Sequence, residues 1–556
     1  MKIFLSFLPC GAKIRKMNME ERAKLDSILP YLPLVIGSSW RLFWPSKVVE
    51  ALEAMASGPD YSRVNCGEVL FIAISDMRAS VSLREPLAPF APQGYALFFD
   101  ELMSGADSTK WFAEVIPKLA NLLLRLPSLV DFHYQNTQTY GYGLRILGPQ
   151  QPGIVLLSQE LIGALLACSL FCLFPVANRG LKDLPTINFD KLFASLNDSY
   201  SENQENKVRC IVHYFQRICS QMPAGFVSFE RKVLPLEHHP EQLCVSYPNA
   251  DFWTKSTIPL CPFQVHSSGL IEDHSTGALE VDFANKYLGG GALNRGCVQE
   301  EIRFMINPEL IAGMLFLPSM AENEAIEIVG AERFSDYMGY ASSFRFSGDY
   351  VDKRSIDFLG RRKTRIVAID ALCSPRMKQY QLKYLLRETN KAFCGFLDQS
   401  KYRQYMRLFK IMDTVQLNEA PSTSIETNGG SMTEEVRKSD EKDGQSMDPE
   451  NCSGIATGNW GCGAFGGDPE LKAIIQWLAA SQALRPFITY YTFGLEALQS
   501  LDEVNKWIIL HKWNVGDLWN MLIEYSSQKL RGETNLGFFA WLLPSLPPCE
   551  AVEPAK

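Results

Sequence analysis

Apolar residues recur at three- and four-residue spacing over Glu20 to Leu29, Trp111 to Leu126 and Ser158 to Phe174, the period of a helix with one buried face. Ser158, followed by Gln159 and Glu160, predicts a helix N-cap with an acidic first turn. Pro175 is expected to close that helix. Asn197 to Lys207 is polar and reads as a loop. Beyond residue 208 the pattern changes. Val227 to Leu234 alternates like a half-buried strand, and Ala278 to Phe283, Ala325 to Val329, Thr364 to Ile369 and Phe487 to Thr492 are further strands. Helical stretches lie between them at Pro308 to Phe316, Gln379 to Cys394 and Pro469 to Ala483. This order predicts a helical accessory domain over 1–205 and an α/β (α+β) domain over 206–545, with a mixed sheet flanked by helices. From about Asn418 to Asn451 the chain is rich in Ser, Thr, Glu, Asp, Lys and Gly, with few large apolar side chains to offset the entropy of ordering, so a disordered insertion is expected there.

Composition narrows the class. The chain has 556 residues, 46% hydrophobic and 21% charged, enough apolar surface for a large core or two domains. A net charge of −8 argues against a surface devoted to nucleic acid, and no direct nucleic-acid binding is expected. The 14 cysteines are scattered, with no CxxC pair, and Cys168 and Cys172 are expected on a buried helix face. None of the seven histidines sits in a zinc-ligand pattern, so no metal and no cofactor are expected. Scattered thiols fit a reducing compartment. The short apolar run from Met1 to Cys10 is followed by Lys13, Arg15 and Lys16, the wrong charge for a signal-cleavage region. Leu161 to Phe174 is too short to span a bilayer, and no membrane association is expected.

Chemistry concentrates in two glycine-rich stretches. Gly289-Gly290-Gly291 follows the strand that ends near Asp282 and precedes Gln299-Glu300-Glu301 at a helix start. A glycine loop lets backbone N–H groups approach an anion, and ligands of open α/β sheets bind at the carboxyl ends of strands. The same triplet also suits a flexible turn. Glu300 and Glu301 supply acid/base groups, or form the acidic first turn of an ordinary helix. Consecutive helical residues diverge by about 100°, so the two carboxylates have different partners. The second stretch runs from Ala456 to Asp468, with five glycines between Gly458 and Gly467, and reads as a second phosphate or sugar clamp or a long turn. Tyr337 and Tyr340 either cover a bound purine or sugar or pack in the core.

Together these residues resemble poly(ADP-ribose) glycohydrolase of the eukaryotic type, in a compact, plant-like form. The carriers are Val281-Asp282-Phe283-Ala284-Asn285, the glycine triplet, seven residues, Gln299-Glu300-Glu301, then Ile302-Arg303-Phe304 and Ile306-Asn307-Pro308-Glu309-Leu310. The resemblance covers roughly residues 110 to 540. It implies a macrodomain fold beside a helical accessory domain, and hydrolysis of ribose–ribose O-glycosidic bonds of poly(ADP-ribose) chains on ADP-ribosylated proteins. It implies Glu301 as general acid and then base, Glu300 as holder of ribose hydroxyls, and Asp282 as support for the loop or ribose. Glu272, after Ile271, is implied at the adenine, Asn285 and Gln299 as ligand contacts, and Tyr340 as the cover over the bound ADP-ribose, with Ile271 and Tyr337 expected beside the substrate. Asn459, Trp460, Gly461, Cys462, Gly463, Ala464 and Phe465 are implied around diphosphate and ribose, and Phe493 as a stacking aromatic. A nuclear and cytoplasmic location and a monomer are further expectations. The rival expectation is a non-catalytic ADP-ribose-binding macrodomain.

Overall fold

A computed structural model describes residues 19–37, 41–136, 142–198, 200–237, 245–273, 277–398 and 453–543. The insertion expected at about 418–451 and the Met1 to Lys16 stretch lie outside the described residues. The chain divides into two compact units, one drawn from residues 1–231, 284–321 and 326–364, the other from 232–283, 322–325 and 365–556.

The first unit begins helical, as the apolar spacing predicts. Helices run over Met19–Ile28, Ser46–Ala56, Gly67–Ser80, Ile116–Asn136 and Gln159–Leu170. Their core is aromatic: Tyr95 stacks on Phe193 at 3.9 Å between ring centroids and Phe99 on Trp111 at 5.3 Å. Ser158 caps its helix, its hydroxyl accepting the Leu161 N–H. That helix stops at Leu170, ahead of Pro175. The N–H groups of Cys172 and Leu173 turn back to the carbonyls of Ser169 and Cys168, and Cys172 adopts a left-handed φ of 51°. Cys168 therefore lies on the buried helix face, whereas Cys172 is buried in the turn beyond it.

Two features depart from the sequence reading. A strand at Gly153–Ser158 pairs antiparallel with Phe226–Val233, from Gly153 opposite Arg231 to Ser158 opposite Phe226. The polar Asn197 to Lys207 stretch is not all loop, because a helix begins at Glu202 and runs to Ser220. Its first turns are polar yet buried: Gln204, Glu205, Asn206 and Lys207 face protein partners. The boundary expected at 205/206 falls inside this helix.

The second unit holds five parallel strands in the order Arg365–Ala368, Leu279–Asp282, Ile455–Gly458, Ile488–Tyr491, Phe263–His266. The three central strands are buried at every position, as expected for strands covered on both faces. The helices Leu382–Phe396 and Pro469–Gln482 belong to the same core, with Trp253, Trp477 and Trp519 fully buried. Parallel and antiparallel pairings thus both occur in the described residues, alongside abundant helix, which is the mixed α/β class expected. Because the five strands run the same way, Asp282, Gly458 and Tyr491 finish at one edge, where ligands of such sheets bind.

Candidate active site

In the first unit the helix Gln299–Ile306 presents Glu300 and Glu301 in its first turn, both buried. Every carboxylate oxygen of the pair accepts a main-chain N–H. Glu300 Oε2 accepts from Asn285 at 2.8 Å and Oε1 from Gly289 at 2.7 Å. Glu301 Oε1 accepts from Gly291 at 2.8 Å, and Oε2 reaches back to the Val298 N–H at 2.9 Å, in the manner of the acidic member of a capping box. The Gly290 N–H goes to the Tyr287 carbonyl at 2.9 Å. All three amides of the triplet are therefore engaged within the protein, and the phosphate cradle expected at Gly289, Gly290 and Gly291 is not what they form. Their glycine character serves close approach. A Cβ on Gly290, at φ +49°, would lie 2.5 Å from Glu300 Oε2 and 2.8 Å from Glu301 Oε1. A Cβ on Gly296 would lie 2.6 Å from Glu301 Oε1.

Lys207 braces this loop from the other side. Fully buried on the Glu202–Ser220 helix, its ammonium donates to the carbonyls of Asn294 at 2.5 Å and Gly296 at 2.6 Å. Gln204, one turn earlier on the same helix face, donates to the Arg295 carbonyl at 3.1 Å. Burial pushes the Lys207 pKa down to about 8, against the opposing pull of Cys297 and Glu301. Tyr340, at the end of the Ser335–Met338 and Arg345–Asp349 hairpin, sits at the Gln299 backbone and Glu301. Burial raises its phenol pKa, the Gln299 backbone lowers it and Glu301 raises it. Tyr337 packs on its own hairpin, its ring 5.6 Å from that of Phe344. The structure thus brings Asn285, the glycine triplet, Gln299, Glu300, Glu301 and Tyr340 together in this unit.

The second unit collects the other expected residues at its strand ends. Asp282 is buried at the end of its strand, its carbonyl accepting the Ile369 N–H at 3.3 Å. Ile271 and Glu272 form a buried 3-10 turn, with Ile271 packed on Ala278, Ala456 and Tyr491. Asn459 uses its side chain to pin the loop, donating to the Thr492 carbonyl at 3.0 Å and accepting from Tyr490 Oη at 3.2 Å. Trp460 is fully buried, its indole N–H on the Ile369 carbonyl at 2.8 Å. The side chains of Trp460 and Ile271 are both buried in the core of this unit. Gly463 and Ala464 form an exposed tip, and their N–H groups make no hydrogen bond among the described residues. Unlike those of the first glycine loop, these amides are left available to an outside acceptor. Phe493 is half exposed with a left-handed φ of 53°, and its ring stands against Gly458, where a Cβ would lie 3.7 Å away.

Sequence reasoning missed the residues beneath these loops. Under the second lies a buried ionic cluster of Asp370, Arg387, Glu388, Lys391 and Lys472. Lys472 pairs with Glu388 and holds its ammonium 3.9 Å from the Trp460 ring centre. Lys207 and Lys472 carry one signal in sequence: each is a charge on the apolar face of a helix, Lys207 three and four residues before Cys210 and Ile211. Among the described residues no group of His, Cys, Asp or Glu side chains is arranged to hold a metal ion, and no helix is long and apolar enough to cross a membrane.

Comparison with known proteins bears on both units. Residues 250–500 match the family model of the poly(ADP-ribose) glycohydrolase macro domain fold, and residues 103–231 match that of the same family's helical domain. The chain is 58% identical over 551 residues to poly(ADP-ribose) glycohydrolase 1 of Arabidopsis thaliana, covering 95% of this chain and 98% of the relative. It is 54% identical to probable poly(ADP-ribose) glycohydrolase 2 of the same plant, over 95% of this chain and 100% of the relative. Poly(ADP-ribose) glycohydrolase 1 of Caenorhabditis elegans is 31% identical over 52% of this chain and 31% of its own length. With both catalytic-region models matched and near-full-length similarity to the plant proteins, the chain belongs to the poly(ADP-ribose) glycohydrolase family.

Proposed function

We propose that this protein hydrolyses the ribose–ribose O-glycosidic bonds of poly(ADP-ribose) and releases ADP-ribose, with Glu301 as general acid and base and Glu300 as its positioning partner. The observation that carries this reading is the anchoring of all four carboxylate oxygens by main-chain N–H groups. Such anchoring fixes the direction of each carboxylate without occupying all its lone pairs, because a carboxylate offers about four acceptor positions. Each Glu301 oxygen keeps a second lone pair for a proton. In the reaction that proton passes from Glu301 to the departing ribose oxygen as the anomeric C–O bond breaks. Water then adds to the anomeric carbon, and its proton returns to Glu301. ADP-ribose and a chain one unit shorter result.

Glu300 holds ribose hydroxyls while its anchors keep it from swinging toward Glu301. Asp282 and Asn285 support the ribose, and Tyr340 covers the bound sugar from its place beside Glu301. The exposed amides of Gly463 and Ala464 hold the diphosphate, Glu272 meets the adenine and Phe493 stacks on the ligand. A protein that only reads ADP-ribose has no use for a second, separately anchored carboxylate beside the first.

The test is to incubate the purified protein with automodified polymer and resolve the products over time. Free ADP-ribose should accumulate as the chains shorten. Protein that retains polymer but leaves its length distribution unchanged would support the binding-module reading instead.

A further inference from the structure

The catalytic loop has a second side. Within the first unit Gly290 and Gly291 line a pocket of about 330 Å³ together with Tyr287, Met314, Thr186 and Lys191. This volume lies at the small end of ligand sites, roughly 300–1,000 Å³, and suits one nucleoside-sized group. Its character is divided. Leu293, Met314 and Pro185 contribute apolar atoms, while the exposed Lys191 and Asp183 bring one cation and one anion to the lining.

The walls are braced. Tyr287 reaches Asp183 across the rim at 3.5 Å, and Lys207 holds the carbonyls of Asn294 and Gly296 from within the protein. The pocket is also close to the acid, because the Gly291 N–H that helps form its wall lies 2.8 Å from Glu301 Oε1.

We propose that this pocket is a leaving-group subsite, holding the adenosine of the chain unit that departs when Glu301 delivers its proton. The inference rests on the reading of Glu301 given above. A proton donor must stand about 3 Å from the departing oxygen, so the nucleoside carrying that oxygen begins within one residue's thickness of the loop. A partly apolar recess whose anion, Asp183, is engaged by Tyr287 and whose cation, Lys191, is exposed suits a purine nucleoside followed by phosphate, whereas a bare ribose hydroxyl needs no recess. Contacts to the departing unit raise kcat/KM on polymer without affecting capture of the released ADP-ribose, whose own unit lies on the other side of the broken bond.

The test uses the full-length protein and two substitutions away from the glutamates. Thr186→Trp fills the recess, and Lys191→Glu reverses the rim charge on an exposed position that carries little of the fold. Both should lower kcat/KM on polymer by about tenfold or more. Binding of free ADP-ribose should stay within about twofold of wild type, and Lys47→Glu, an exposed change outside the pocket, should do neither. The Lys191→Glu defect should shrink as salt is raised. Both variants shortening polymer at the wild-type rate, while wild type releases ADP-ribose, would overturn the subsite and leave the activity standing. A proportional loss of ADP-ribose binding would also overturn it, by placing the pocket on the retained side. Failure of wild type to release ADP-ribose would remove the parent reading and this one together.

Discussion

Gly290→Ala isolates the geometric claim about the carboxylate pair. The added Cβ would lie 2.5 Å from Glu300 Oε2 and 2.8 Å from Glu301 Oε1, against ordinary contact at 3.4 Å or more. The two oxygens must therefore retreat by about 0.9 and 0.6 Å, taking the difference between those distances. Displacements of that size break or lengthen the hydrogen bonds that these two oxygens accept from Asn285 and Gly291, both now 2.8 Å. A misplacement near 1 Å at a catalytic group costs about 100-fold in rate. The backbone carries its own penalty, since alanine at a φ of +49° is strained by about 1–2 kcal/mol. Gly532→Ala is the matched control: its φ is +73°, it caps the helix Val515–Arg531, and a Cβ there meets nothing within 4 Å. Both variants should melt a few degrees below wild type. Only Gly290→Ala should lose about 100-fold in kcat/KM on polymer, measured as ADP-ribose released. A folded Gly290→Ala protein with activity within threefold of wild type would refute the reasoning that glycine is needed there to seat the two acids.

Other expectations follow from the same contacts. Lys207→Met leaves the Asn294 and Gly296 carbonyls without their donor and should cut activity by about tenfold or more. Its melting temperature should change modestly, because removing a buried cation offsets part of the lost bonding. Gly463→Asp adds a negative charge at an exposed tip where a Cβ has open space, and should weaken ADP-ribose binding by about tenfold with little change in melting temperature, read by calorimetry. Glu309 is fully buried, accepting from Gln159 at 2.8 Å and the Glu332 N–H at 2.8 Å, and burial raises its pKa to about 8 from an ordinary 4.5. Between those values the folded state keeps a proton that the unfolded state has lost, so its contribution falls as pH rises from about 4.5 to 8. Glu309→Gln should flatten that decline by an amount on the order of a few kcal/mol, seen by comparing denaturation of both proteins at pH 5 and pH 8.

The parts of this fold that a linear pattern exposes are those with a period or a cap. The strands at Leu279–Asp282, Glu324–Val329 and Ile488–Tyr491 follow from short apolar runs bounded by turn residues, and Ser158 marks its helix start. Ile455–Gly458 is a strand at the head of a glycine-rich stretch, and burial on both faces left no alternation to reveal it. The start of the Glu202–Ser220 helix was hidden for the opposite reason. Its polar residues look solvated in sequence, yet Gln204 and Lys207 are turned inward to hold the glycine loop, a tertiary fact that overrides local polarity. That the glycine triplet and the two glutamates go together was legible as a motif, but the direction of the loop amides was not. A glycine triplet signals that something comes close, and only the fold says that here it is two carboxylates.

The central claim is that Glu301 supplies the proton while its anchors only orient it. Glu301→Gln tests it, because an amide keeps the size of the side chain but has no proton to transfer. One of its ends must now face a backbone N–H, at a cost of about 1–3 kcal/mol in the loop. The account predicts that ADP-ribose release from polymer falls at least 1,000-fold, an order-of-magnitude expectation for removing a general acid, while calorimetry still shows ADP-ribose binding within about tenfold of wild type. A folded Glu301→Gln protein that shortens polymer at more than a tenth of the wild-type rate would contradict it.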